Sequence, residues 1–96
     1  MFNFNLTDEL KAIIEKLAKK DKKRADIINK KIKQIINSDS ASIQHYKNLR
    51  HDLKEFKGVH IDSSFVLVFK VDTAKNFILF VDFDHHDRIY EKRYSL

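Results

Sequence analysis

Cysteine, proline and tryptophan are absent from this 96-residue chain, and glycine occurs once, at position 58. Without cysteine there is no disulfide framework, no thiolate nucleophile and no cysteine-based zinc site, which excludes redox catalysis. No apolar run is long enough to span a membrane, and the first residues lack the basic start and apolar core of a signal peptide. We therefore expect a cytoplasmic protein.

The composition is typical of one folded domain. Hydrophobic residues make up 43% of the chain and charged residues 34%, and no stretch is of low complexity, so extensive disorder is not expected. A chain of 96 residues can bury one small core but not two. We therefore expect residues 1–96 to form a single domain.

The positive charge is concentrated in the first half of the chain. Residues 1–50 hold 12 Lys and Arg against 6 Asp and Glu, whereas residues 51–96 hold 7 against 8. The basic half is also the half that shows helical periodicity. Such a surface suits nucleic-acid phosphates or an acidic protein partner, although a solvated, lysine-rich helix face explains it equally well.

Apolar residues recur at helical spacing twice in this basic half. Thr7 is a typical N-cap, with Asp8 and Glu9 in the first turn, where the helix dipole favours negative charge. A tight connection near Asp21 separates the two helices. The apolar stripes are Leu10, Ile13, Ile14, Leu17 and Ala18 in the first helix, and Ala25, Ile28, Ile32, Ile35 and Ile36 in the second. They predict a helical hairpin that packs on the rest of the chain.

Strand patterns lie on both sides of this hairpin. Phe2 and Phe4 alternate with asparagines, as in a short edge strand, and three further strands are predicted over residues 56–62, 65–71 and 76–83. The breaks between these three are short enough for antiparallel hairpins. The expected fold is α+β, with an N-terminal strand and a helical hairpin packed on one face of a small antiparallel sheet.

His60 lies on the first of these three strands, and alternation turns it away from Val59 and Ile61. A histidine there can transfer protons near neutral pH, although a half-exposed strand histidine without a role is the more common case. Gly58 is two residues earlier on the same face. Its bare backbone would let a ligand approach closely.

Titratable side chains are crowded where the last strand ends. His85 and His86 lie among Asp82, Asp84 and Asp87. Histidine and aspartate can bind zinc, manganese or iron, but adjacent residues rarely converge on one ion, and no His-x-x-x-His pair is present. Acid–base chemistry needs only a histidine, a cation and a hydroxyl. We therefore favour it, and predict no metal and no other cofactor.

Cationic and aromatic residues near these histidines suit the phosphates and bases of a nucleic acid. Arg88 offers a planar fork for phosphate oxygens, and Tyr90 can stack on a base. Four basic residues lie on the approach to His60, where phosphate positioning and simple solubility explain them equally well. They are Lys47, Arg50, Lys54 and Lys57.

In these segments the chain resembles type II toxins of the RelE/ParE superfamily, most closely the YafQ-like branch of RelE-type messenger-RNA endonucleases. The resemblance covers most of the chain, and its more specific blocks are Phe65–Lys70 and His85–Tyr90. His60 matches the strand histidine of that branch. His86 and Tyr90 match its C-terminal histidine and the aromatic residue that follows four positions later.

This resemblance implies a RelE-like toxin that cleaves mRNA in the ribosomal A site without a metal. A cognate, RelB-like antitoxin would inhibit it in a hetero-oligomeric complex. One histidine would take the proton of the ribose 2′-OH and the other would protonate the leaving 5′-oxygen, with His60 as base and His86 as acid, or the reverse. Arg88 or Lys57 would contact the phosphate, and Tyr90 would stack on or orient the substrate.

Departures from the branch leave other functions open. Ser64 stands where the branch has a second acidic residue, and Val66 where RelE-type enzymes often have an arginine. Either His85 or His86 can be the C-terminal histidine. Two alternatives follow: a ParE-like inhibitor of DNA gyrase without nuclease activity, and a degenerate toxin that only binds its antitoxin.

Overall fold

The computed structural model describes residues 1–96 and contains four strands, two long helices and a short C-terminal helix. In chain order the elements are β1 (Asn3–Leu6), α1 (Asp8–Lys20), α2 (Lys22–Ile36), β2 (Lys57–Ile61), β3 (Phe65–Asp72), β4 (Phe77–His85) and α3 (His86–Ile89). A long connection between α2 and β2 contains two short 3-10 turns, Ser42–His45 and His51–Leu53. The predicted α+β class and helical hairpin are confirmed.

The sheet is mixed, with strand order β1-β4-β3-β2. The last three strands form the predicted antiparallel meander. The predicted sheet was antiparallel throughout, and β1 is the strand that departs from it: it pairs parallel with β4, from Asn3 opposite Phe77 to Leu6 opposite Phe80. Parallel pairing requires a long crossover between the strands, and α1, α2 and the meander supply it.

The helix ends follow from two side-chain caps. The Thr7 hydroxyl accepts a hydrogen bond from the Leu10 N–H at 3.2 Å and donates one to the Val81 carbonyl of β4 at 2.8 Å. Asp21 lies between the helices, and its carboxylate accepts the Arg24 N–H of α2 at 3.1 Å. The tight connection is therefore a single residue, and the first cap also ties α1 to the sheet.

The two long helices cover one face of the sheet and enclose the larger core. Its fully buried residues are Leu10, Ile28, Ile35, Ile43, Ile61, Leu67, Phe69, Ile78 and Phe80. The predicted stripe of α2 is buried throughout, whereas in α1 only Leu10 is buried and Ala18 is exposed. Neither long helix combines the length and the hydropathy that a membrane-spanning helix requires, and α3 is far shorter.

The opposite face of the sheet has a thinner cover, made by loop and tail segments. A second, smaller core there consists of Leu53, Phe56, Val66, Val68, Val81 and Ile89. The connection before β2 supplies Leu53 and Phe56, and α3 supplies Ile89. Part of this face stays open, and His60 is exposed on it.

Replacing Thr7 with alanine should lower the free energy of unfolding by about 1–2 kcal/mol, because the helix cap and the bond to Val81 are both lost. Thr7→Ser keeps the hydroxyl and should cost clearly less. Urea denaturation of the three proteins measures the difference. Equal stabilities of the alanine and serine variants would show that the hydroxyl contributes nothing.

Candidate active site

A groove of about 460 Å³ opens on the thinly covered face of the sheet. Its floor is formed by β2 and β3, one wall by the connection before β2, and the other wall by α3 and the residue after it. The groove is lined by His60, His86, Tyr90, Lys47 and Arg50, among others. Three separate segments of the chain thus bring together five of the residues singled out in the sequence.

His60 reaches the groove from β2, as alternation predicted. It pairs with Val66 of β3 and is exposed, whereas its neighbours Val59 and Ile61 pack on the helical side. Because successive side chains of a strand lie on opposite faces of the sheet, the pairing of β2 with β3 determines the face that carries the imidazole.

Gly58 lies in the groove floor, but the space above it is filled by protein. A Cβ atom there would lie 2.8 Å from Leu49 Cδ2 and 2.9 Å from Val66 Cγ1. The prediction that this glycine leaves room for a ligand was therefore wrong. It makes room for Leu49, which holds the connecting wall against the smaller core.

His86 begins α3 and is held by the turn between β2 and β3. Its backbone N–H donates to the Ser64 carbonyl at 2.9 Å, and its ring Nδ1 lies 3.3 Å from the same oxygen. A carbonyl only accepts, so in the neutral ring Nδ1 carries the hydrogen and Nε2 the lone pair. An Asp87 oxygen lies 3.0 Å from Nε2.

His85 does not line the groove, so of the two adjacent histidines only His86 does. Its ring stacks on that of His86, with 4.9 Å between centroids, and meets Phe65 edge-on. Its Nδ1 accepts the Asp87 N–H at 3.3 Å and thereby caps the first turn of α3. His85 therefore supports the wall that carries His86.

Three adjacent side chains nevertheless converge on one point. His85, His86 and Asp87 each place one possible metal-ligand atom within 4.8 Å of the others. Their adjacency in sequence does not keep these atoms apart, because the chain turns from strand to helix between them.

The predicted RNA-binding lysines and arginines differ in their access to the groove. Lys47 and Arg50 are exposed and line it. Lys57 is buried on the helical side, where its ammonium donates to the Tyr46 carbonyl and to Asn48 Oδ1, both at 2.9 Å. Burial lowers the pKa of Lys57. Its cation is used inside the protein, which corrects the phosphate contact predicted for it.

Two further predicted cations, Arg88 and Lys54, are exposed but lie outside the groove lining. The positive charge of Arg88 acts on the carboxylate of Asp84, whose pKa it helps to lower. Contacts of these two cations with RNA stay predictions, and they would involve nucleotides beyond the groove.

Tyr90 joins the two walls of the groove. Its hydroxyl accepts the backbone N–H of Arg50 at 3.2 Å, and its ring meets that of His51 edge-on at 6.3 Å. The side chain is 41% exposed, so a large part of the ring is open to a ligand.

A buried carboxylate that sequence reasoning did not single out anchors the α3 wall. Asp82 is 4% exposed and accepts hydrogen bonds from Lys92 Nζ at 2.7 Å and from the Tyr94 hydroxyl at 2.8 Å. Burial raises the pKa of Tyr94, and the bond to Asp82 raises it further. Lys92 also lies 2.8 Å from Asp84. The tail is thus folded back onto β4, with His86 and Tyr90 in the segment between.

Comparison with known proteins identifies the family. Residues 5–90 match the family model of the ParE toxin of the type II toxin-antitoxin system parDE. The chain belongs to this toxin family. A protein of Methanocaldococcus jannaschii named as a candidate toxin, RelE4, is 50% identical to the toxin over 93 residues, which are 97% of this chain and 95% of that protein. An uncharacterized protein of Methanosarcina mazei is 41% identical over 90 residues, covering 94% of this chain and 100% of that protein.

Solved structures confirm the fold of the toxin. The crystal structure of YafQ from E. coli strain BL21(DE3) matches with a TM-score of 0.70 at 15% identity, covering 94% of this chain and 99% of that one. A chain of the YoeB–YefM complex from Staphylococcus aureus matches with a TM-score of 0.69 at 19% identity, covering 90% and 98%. The family match and the 50% identical relative confirm the RelE/ParE superfamily expected from the sequence, and the solved structures confirm the expected fold.

Acid should weaken the contact between Asp84 and Lys92. Burial by itself would raise the pKa of Asp84, but hydrogen bonds from Lys92 and the His85 N–H, with the charges of Lys92 and Arg88, hold that pKa below 3.8. A carboxyl group with a depressed folded-state pKa stabilises the fold at higher pH, and this stabilisation is lost as the pH falls below 3.8. Asp84→Asn should therefore cost about 1 kcal/mol at neutral pH and progressively less in acid.

Urea denaturation of the wild type and of Asp84→Asn, from neutral pH to below 3.8, measures this difference. Asp26→Asn, which removes an exposed carboxylate of α2, is the matched control and should have little effect at any pH. A cost of Asp84→Asn that stays constant with pH would contradict the contribution of this ion pair.

Proposed function

We propose that this toxin is an endoribonuclease that cleaves mRNA in the ribosomal A site by attack of the ribose 2′-OH, without a metal ion. The convergence of His60, His86 and Tyr90 on one groove, beside Lys47 and Arg50, carries this proposal. The reaction needs a proton acceptor, a proton donor and positive charge near the phosphate. Groups that can fill all three roles lie within the groove. Because the proposed substrate is mRNA on the ribosome, the proposal also places the protein in the cytoplasm.

The two histidines supply the proton transfers. His60 takes the proton of the 2′-OH, the oxygen attacks the adjacent phosphorus, and His86 protonates the 5′-oxygen that leaves. The products are a 2′,3′-cyclic phosphate and a new 5′-hydroxyl. Nε2 of His86 is the nitrogen that can give this proton, because Nδ1 is directed at the Ser64 carbonyl. Asp87 is 74% exposed and can turn away from Nε2 when RNA binds.

Lys47 and Arg50 compensate the charge that develops on the phosphate. They lie on the connecting wall, so their side chains reach the groove from the side opposite α3. The planar fork of arginine suits two phosphate oxygens at once. Tyr90 stacks on a base through its open ring, since its hydroxyl already accepts the Arg50 N–H.

The two departures from the YafQ-like pattern have structural roles. Val66 is buried under the groove, and Ser64 uses its carbonyl to hold His86. The side chains of these two residues add no charge to the site, so the proposed chemistry depends on the histidines alone for proton transfer.

We also propose a RelB-like antitoxin as the partner, in a hetero-oligomeric complex. Two matching structures support it, since they are complexes of other toxins with antitoxins: YoeB–YefM from Staphylococcus aureus and RelBE2 from Mycobacterium tuberculosis. The basic first half of this chain, with 12 Lys and Arg against 6 Asp and Glu, suits an acidic segment of such a partner or ribosomal RNA.

Single replacements His60→Ala and His86→Ala should each reduce mRNA cleavage by about 10²–10⁴-fold, the usual contribution of one proton-transfer group. His51→Asn is the matched control: it removes a histidine outside the groove, and asparagine tolerates the positive φ of 59° there. Primer extension on a reporter mRNA after brief induction in cells detects the cuts. Undiminished cleavage by both alanine variants would refute the assignment.

The match to the ParE family model favours one second candidate, inhibition of DNA gyrase by binding. We expect the purified toxin to leave gyrase supercoiling unaffected. Growth arrest without mRNA cuts, together with gyrase inhibition that survives His60→Ala and His86→Ala, would establish this alternative instead. If the toxin causes no growth arrest, no mRNA cuts and no gyrase inhibition, the result would indicate a degenerate toxin that binds only its antitoxin.

A further inference from the structure

We propose that His85, His86 and Asp87 form a binding site for a divalent transition-metal ion such as Zn²⁺, and that the bound ion switches the nuclease off. The site itself is independent of the reaction. Its inhibitory effect rests on the proposed function, because it depends on His86 as the proton donor.

The three side chains already approach the geometry of a zinc site. The Asp87 carboxylate lies 3.0 Å from His86 Nε2 through one oxygen and 3.6 Å from His85 Nδ1 through the other. Ligand atoms around tetrahedral zinc lie about 3.3 Å apart, given metal–ligand bonds of about 2.0 Å. All three ligand atoms lie within 4.8 Å of one another. To reach the spacing around zinc, the most distant pair has to move closer by at most about 1.5 Å.

Contacts with the backbone determine which ring nitrogen of each histidine carries a hydrogen and which carries a lone pair. The Asp87 N–H can only donate, so His85 Nδ1 is its acceptor. The Ser64 carbonyl can only accept, so His86 Nδ1 carries a hydrogen and Nε2 does not in the neutral ring. His85 Nδ1 therefore faces the Asp87 backbone N–H, and His86 Nε2 faces the Asp87 carboxylate, from which it is separated either by a proton on the charged ring or by nothing on the neutral one.

With a neutral His86 ring, the Nε2 lone pair lies 3.0 Å from the Asp87 carboxylate, a contact that either a proton on Nε2 or a metal ion makes favourable. A divalent ion takes the place of that proton between His86 and Asp87, and it gains His85 Nδ1 as a third ligand once this nitrogen releases the Asp87 N–H, a long hydrogen bond of 3.3 Å. The contact of His86 Nδ1 with the Ser64 carbonyl is also the kind of outer bond that orients a metal-binding imidazole. Without this contact the ring could turn Nε2 away from the other two ligands.

The ligand chemistry indicates which ions fit. Two imidazole nitrogens and one carboxylate suit zinc, copper or nickel better than magnesium or calcium, which prefer oxygen ligands only. Three protein ligands leave a fourth position for water. The side chains of His85, His86 and Asp87 are 37%, 50% and 74% exposed, so an ion can enter without opening the fold.

Metal binding and catalysis compete for one lone pair. The same Nε2 of His86 would hold either the metal or the proton that the leaving oxygen needs. A bound ion therefore removes the general acid while leaving His60 and the cations of the groove in place. The inhibition should be reversed by a chelator.

Calorimetric titration of the chelator-treated toxin with ZnCl₂ tests the site directly. The wild type and His51→Asn should bind one zinc ion per chain, whereas Asp87→Asn and His85→Ala should bind at least about tenfold more weakly. Asp87→Asn keeps the backbone N–H that caps α3, so it stays informative if His85→Ala proves unstable. Equal affinities of all four proteins, or no binding by the wild type, would overturn the proposed site.

Cleavage of RNA by each protein, divided by its own zinc-free rate, tests the inhibition. Saturating zinc should slow the wild type by about 10²-fold or more, and a chelator that binds Zn²⁺ but leaves Mg²⁺ on the ribosome should restore the rate. Asp87→Asn should need about tenfold more zinc for the same effect. Unchanged or faster cleavage by the zinc-loaded wild type would overturn the inhibitory role. Zinc binding by a chain that cleaves no RNA would support the site and refute the nuclease.

Discussion

The hydrogen-bonded pairing of Asp82 with Lys92 and Tyr94 is the interaction on which the candidate site depends. Asp82 lies in the interior of the sheet, and burying a carboxylate is costly unless it is paired. The chain must therefore return to β4 after leaving it, and the return path is α3 and the tail. His86 and Tyr90 lie on this path, so the anchor determines where one wall of the groove stands.

The other wall is held by contacts with the tail and with the groove floor. Tyr90 accepts the Arg50 N–H, Arg93 pairs with Asp52 at 2.9 Å, and Leu49 packs into the space above Gly58. Loop and tail thus support one another over a sheet face that no long helix covers. A site built between them gains open access to ligand, while the strands below and the tail anchor keep its histidines in fixed directions.

The histidine-rich junction between β4 and α3 places the proposed proton donor and the proposed metal ligands in the same few residues. The Ser64 carbonyl holds the His86 ring so that Nε2, the proton donor of the proposed reaction, faces a carboxylate. A site arranged to hold a proton between nitrogen and oxygen is also suited to hold a metal ion. Catalysis and metal inhibition would then be two uses of one local geometry.

Local patterns in the sequence determined the helical hairpin, the Thr7 cap, the face on which His60 lies and the resemblance to the RelE/ParE superfamily, because each depends on residues close together in the chain. Lys57 lies on the same face of β2 as Val59 and Ile61, so alternation along the strand already indicates that its side chain points inward. Only the tertiary structure decided the parallel pairing of β1, the choice of His86 over His85 in the groove, and the burial of Asp82. A β-bulge opposite Val68 and Phe69 shifts the alternation of β4, so Asp82 lies on the thinly covered face, under Lys92 and Tyr94, and not on the helical side with Phe80. Such a shift depends on pairing with a distant strand, which periodicity along one segment does not record.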